Sequence, residues 1–275
     1  MGKFRVGLQL YSVKQEMAND MENTIKAVAD MGYDFVEFAG YFGRTAEQVR
    51  EMLDKCGLEC ISVHQNPTLF WDEGQSAIEY IKTIGAKYSA IPHYDINEFR
   101  NNWSDTIKKF TSLGEDLRKN GIQLLYHNHD FEFEKADGEY IFDKLFKEVS
   151  DDLMLPQIDT CWVHYAGENP AEYVLKYKGK IDALHLKDFV CENLGAGPVY
   201  ELIGKDGTAQ KGKTREENGF MYKPLGRGIQ DIPAILDAAE KAGVKYLIVE
   251  QDDSPEMPPL EAAKISRDYL KTLNV

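Results

Sequence analysis

Four apolar runs in the second half of the chain each carry a metal-ligating side chain at or near their end. QLLYHNH holds His127 and His129, LPQID ends in Asp159, DALHLKD contains His185, and YLIVEQD reaches Glu250. Helix-like segments separate the runs. If the runs pair as parallel strands, all four ends open on one face, and nitrogen and oxygen donors distant in sequence converge there. Such a donor mixture suits a divalent cation. Taken singly, each residue has a plainer use. Asp159 would serve equally as a helix N-cap, and a lone strand histidine such as His185 is more often simply hydrogen-bonded. Their joint placement at strand ends points to a catalytic site.

Neighbouring residues extend this constellation. Lys187 shares the face of His185 by strand alternation and can hold negative charge on a sugar oxygen, a phosphate or an enediolate. Glu250 can bind metal through one oxygen and take a proton with the other, with Asp252 on the same face to orient it. His127 and His129 lie two apart, and Glu132 follows in the loop HDFEF. Depth favours His127 as the fourth ligand. Glu132 rivals it, because a carboxylate balances more of the metal charge. His129 is then left for proton transfer or substrate contact. Glu37, His64 and His93 end earlier strands, and with Trp162 they are candidate substrate contacts. The segment PLGRG, Pro224 to Gly228 and including Arg227, reads either as a plain turn or as a backbone nest for a phosphate.

These positions need a scaffold of alternating strands and helices. The apolar runs predict strands at 6–12, 35–40, 60–66, 88–94, 122–129, 154–160, 182–188 and 246–252. Helical periodicity, caps and glycine stops predict helices near 21–31, 45–55, 74–84, 102–119, 140–148, 170–176, 231–242 and 260–273. Eight such units fit a single (β/α)8 TIM barrel domain over residues 1–275. A doubly wound sheet is the alternative, but no GxGxxG follows the first strand. The polar stretch from Cys191 to Lys223 would overhang the active face as a lid, as a specificity loop, or as a tolerated surface loop.

A formal net charge of -14 over 275 residues argues against nucleic-acid or anionic-membrane partners. The four cysteines form no CxxC pair. Neither a signal peptide nor a membrane-spanning run is visible, which predicts a cytoplasmic protein with a small-molecule substrate. A homo-oligomer stays open.

The segments YHNHDFEF, DTCW, HLKD, PLGRG and VEQD resemble those of the xylose isomerase-like sugar phosphate isomerase/epimerase superfamily. That superfamily includes inosose isomerases and dehydratases, with AP endonuclease family 2-like repair enzymes as distant relatives. The likeness spans essentially the whole chain. It implies a TIM barrel with a divalent metal (Mn, Mg, Zn or Co) at its mouth and a carbohydrate substrate. Asp159, His185 and Glu250 match the family's Asp, His and final Glu ligands. Strand five departs from the epimerases, which carry a Glu there as a ligand and one of two opposed bases. His127 stands at that position, as in the inosose-dehydratase-like branch, so two-base epimerisation would require Glu132 to swing in. Trp162 replaces a histidine that epimerases carry after the strand-six Asp. The expected activity is a metal-dependent isomerase or epimerase of a small sugar or sugar phosphate, acting through an enediolate. A lyase or dehydratase using the same enolate is the alternative. A repair endonuclease is disfavoured by the charge and by only six histidines, and a silent sugar-binding barrel is a further class.

Overall fold

The apolar runs pair in parallel and close on themselves. In the computed structural model, which describes residues 4–195, 202–203, 209–210 and 219–275, eight strands form one closed barrel. They are β1 (Arg5–Gln9), β2 (Phe35–Phe38), β3 (Glu59–His64), β4 (Tyr88–Ile91), β5 (Gln123–His127), β6 (Met154–Asp159), β7 (Ala183–Leu186) and β8 (Tyr246–Val249). Neighbours around the barrel are neighbours in the chain, and β8 returns to β1 with Leu8 opposite Val249. Nearly every strand residue is buried, as expected where helices cover one face and the barrel interior the other.

The covering helices are α1 (Met21–Asp30), α2 (Ala46–Cys56), α3 (Gln75–Ile84), α4 (Trp103–Lys119), α5 (Ile141–Glu148), α6 (Pro170–Lys176), α7 (Ile232–Ala242) and α8 (Pro259–Thr272). Local chemistry sets their ends. Thr45 and Gln48 form a capping box at the start of α2, and Gly57, at φ 67°, stops it in the left-handed region. Inside the barrel, Phe35, Ile61, Leu125, Ala183 and Ile248 belong to one apolar cluster. Gly7 makes room for it: a Cβ there would lie 2.2 Å from the Phe35 ring.

The strands are shorter than their apolar runs, because the chain turns into short helices immediately after them. Leu10–Val13 is a 3-10 turn that buries Leu10 and Val13. Pro67–Glu73, Ile96–Asn101 and Thr160–Tyr165 are one- to two-turn helices capped by Asn66, Asp95 and Asp159. At the edges of the polar stretch from Cys191 to Lys223, Asp188–Val190 pairs antiparallel with Met221–Lys223, and within it Leu202–Ile203 pairs with Ala209–Gln210. Residues 196–201, 204–208 and 211–218, where the expected lid, specificity loop or surface loop would lie, are outside the described residues. No helix among the described residues is long and apolar enough to cross a membrane.

Candidate active site

Strand ends β2, β3 and β5 to β8 deliver a buried cluster of charged and polar side chains. Single donor atoms of His127, Asp159, His185 and Glu250 all lie within 4.8 Å of one another. Asp159 serves two purposes. One carboxylate oxygen accepts the Cys161 N–H at 2.9 Å and caps the following helix, while Oδ2 lies 3.6 Å from His127 Nε2. That separation exceeds a hydrogen bond and is close to the roughly 3.4 Å between two donors sharing one tetrahedral ion. His127 is buried, and its Nδ1 has no hydrogen-bond partner among the described residues.

His185 donates from both ring nitrogens, at 2.8 Å from Nδ1 to Glu250 Oε2 and 2.7 Å from Nε2 to Glu37 Oε1. Burial disfavours its charge, but Glu37 and Glu250 outweigh that and raise it to about 10. It is therefore an imidazolium at neutral pH. Glu37 also accepts from Gln9 Nε2 at 2.8 Å and from Gln157 Nε2 at 2.7 Å, while His64 Nε2 donates to Gln157 Oε1 at 2.8 Å. Against the cost of full burial, His64 and His185 hold Glu37 down at about 2. Gln9 and Gln157 were not singled out in the sequence. Their only signal is a polar amide inside an otherwise apolar strand run.

Lys187 Nζ lies 2.9 Å from Asp159 Oδ2, 2.8 Å from Glu250 Oε2 and 3.0 Å from Asp252 Oδ1. Burial opposes its charge, and the three carboxylates reverse this and raise it well above the ordinary lysine value. Glu250, despite burial, is lowered by Lys187 and His185. Burial dominates at Asp159, which is raised to about 6 in spite of Lys187. Burial also lowers His127 and His129 well below the ordinary imidazole value, and lowers His64 and His93.

Above the cluster opens a pocket of about 500 Å³. Glu250, Lys187 and Asp252 line it from β7 and β8, and His64, His93 and His129 from the ends of β3 to β5. Tyr11 and Lys14 also form part of the wall, and Lys14 was not singled out in the sequence.

Several expected positions fall elsewhere. Glu132 does not join the donor group, because both its oxygens are engaged. Oε1 accepts the Tyr126 hydroxyl at 2.6 Å and Oε2 the His129 N–H at 2.8 Å. Trp162 is fully buried behind Lys187, its ring 5.5 Å from Nζ and stacked on Phe220, so it does not line the pocket. Glu37 lies beneath the pocket as a partner of histidines, and it too is absent from the lining. Arg227 is exposed on its turn, with its N–H bonded to Pro224 O at 3.0 Å. PLGRG does form a nest, but a carboxylate fills it. Gly226 and Gly228 donate to Asp188 Oδ2 at 2.9 Å each, and Gln230 and Phe189 donate to Oδ1 at 3.1 and 2.9 Å.

The closed parallel barrel is also the fold of the known proteins that this chain is similar to. Residues 25–273 match the xylose isomerase-like TIM barrel family. The chain belongs to this family. Among curated members, an inosose dehydratase of Mesomycoplasma hyopneumoniae is 25% identical over 94% of this chain and 91% of its own. Among solved structures, a sugar phosphate isomerase/epimerase of Parabacteroides distasonis superposes with a TM-score of 0.76 at 22% identity, over 98% of this chain and 94% of that one. The IolI protein with a bound zinc atom superposes with a TM-score of 0.69 at 15% identity, over 98% of each chain. The family resemblance and the barrel expected from the sequence are borne out. The donor set fits a divalent metal as well. Two carboxylates and two imidazoles offer mixed oxygen and nitrogen donors in a buried cluster, and Nδ1 of His127 lacks a hydrogen-bond partner among the described residues.

Proposed function

We propose that this protein is a metal-dependent enzyme that removes a proton next to the carbonyl of a small polyhydroxylated compound and then expels a β-hydroxyl as water. His127, Asp159, His185 and Glu250 would hold the metal, His185 after losing the proton it carries in the metal-free cluster, and the bound metal would supply a Lewis acid that acidifies the C–H beside the carbonyl. The remaining steps belong to the chain. Lys187, charged at neutral pH, holds negative charge as it develops on the substrate oxygen. His129 is neutral at pH 7, so it can accept the proton from carbon; as an imidazolium it can return that proton to the departing hydroxyl, and water leaves. Glu250 is kept ionised by Lys187 and His185, which suits it to a ligand and a charge balance better than to a strong base.

One observation carries the choice of elimination. Glu132, the carboxylate that a two-base epimerisation would need on strand five, is tied to Tyr126 and the His129 N–H. Histidines stand there instead. The nest filled by Asp188 supports an unphosphorylated substrate, because barrel enzymes often place a phosphate near the loops after strands seven and eight. The second reading is an isomerase or epimerase, favoured by the opposed placement of Glu250 on one pocket wall and His93 and His129 on the other.

Metal-loaded protein incubated with a panel of keto-polyols in deuterated water separates these readings. Elimination yields an ultraviolet-absorbing enone one water lighter, and His129→Ala lowers its rate by about 100-fold or more. An isomer carrying deuterium with no loss of water would favour the second reading. No exchange and no product would sink both.

A further inference from the structure

The carboxylates assigned to a divalent ion already hold a cation. Lys187 Nζ sits 2.9 Å from Asp159 Oδ2 and 2.8 Å from Glu250 Oε2, and both residues belong to the four-donor group. An ammonium and a divalent ion cannot occupy this space together. Like charges a few ångström apart in a buried site repel strongly, and the same two oxygens would have to serve both. The third partner, Asp252, lies outside the donor group. It faces the pocket, and its other oxygen is fixed by the Tyr222 hydroxyl at 2.6 Å.

We propose that Lys187 is the internal counterion that an incoming divalent ion displaces, and that Asp252 is the station to which its ammonium withdraws. This rests on the metal-site reading above. Withdrawal breaks the contacts to Asp159 and Glu250, keeps the one to Asp252, and leaves the charge beside the substrate pocket. Loading the metal and positioning Lys187 for substrate are then one event. Metal-free protein is spared a buried Asp159 with no cation within ion-pair distance and a Glu250 left to His185 alone, a state that would be destabilising.

The test is zinc affinity of the intact, metal-stripped chain, measured by competition with a chromophoric chelator, with no activity assay involved. Lys187→Met removes the competitor without touching a ligand, and zinc binds about tenfold or more tighter than to the wild type. Asp252→Asn removes the withdrawal station, also without touching a ligand, and zinc binds several-fold weaker. Unchanged or weaker binding by Lys187→Met overturns the exchange. If that variant does not fold without metal, Asp252→Asn decides alone, and unchanged or tighter binding there overturns the proposal. Zinc binding to none of the three chains would remove the metal-site reading as well. Equal binding to all three would remove only the exchange.

Discussion

Glu132 and Glu250 are both buried carboxylates at the same end of the barrel, yet their surroundings drive them in opposite directions. Glu250 faces Lys187 and His185 and stays ionised. Glu132 faces no cation, and burial pushes it up to about 8 against the hydrogen bonds from Tyr126 and the His129 N–H. The sign of the consequence is fixed. An acid whose folded pKa lies above its unfolded value costs nothing below pH 4.5 and destabilises progressively as pH rises toward 8. Glu132→Gln removes that titration but loses one acceptor for the His129 N–H. Relative to wild type, the variant should therefore gain stability on moving from pH 5 to pH 8, by at most about 4 kcal/mol. Urea unfolding at both pH values checks this, and a difference independent of pH contradicts it. At this scale the sequence was informative about ionisable residues and silent about their partners. Asp159, His185 and Glu250 announced themselves by type at strand ends. Gln9 and Gln157 did not, because a neutral amide signals nothing until Glu37 is seen beside it.

Each strand of this barrel ends where the chain begins to curl, and the sequence hides that junction. Leu10 and Val13 continue the apolar pattern of β1 but pack from a 3-10 turn, so a run of apolar residues read as one long strand. Thr160–Tyr165 hides in the same way: Asp159 both ends β6 and caps the next helix. Strand and helix existence was legible from periodicity and glycine stops, while the boundaries depended on packing that only the closed barrel supplies. The PLGRG turn shows the same limit. Its sequence allows a plain turn or a nest, and does not show the carboxylate that fills the nest. Gly228 matters there for space alone: a Cβ would lie 2.1 Å from Asp188 Oδ1. Gly228→Ala should cost about 2–4 kcal/mol in chemical unfolding, since the nest must open or Asp188 must leave it. A loss below about 0.5 kcal/mol, within the usual range for an inconsequential surface change, would show that the nest does not hold this loop.

At the scale of the molecule, closure of the sheet is what makes residues 127, 159, 185 and 250 neighbours. β5, β6, β7 and β8 are consecutive around the barrel, so their ends fan across one side of the mouth, and β1 to β4 complete the opposite wall. This was the most legible level, because eight alternating units and a recognisable set of segments left few architectures open. The proposed chemistry requires those four side chains to hold one ion. Calorimetric titration of zinc into metal-stripped protein tests this directly. One ion should bind per chain, and His185→Ala or Asp159→Asn should abolish the binding. The absence of uptake by the wild type, or uptake unchanged in both variants, would contradict the account.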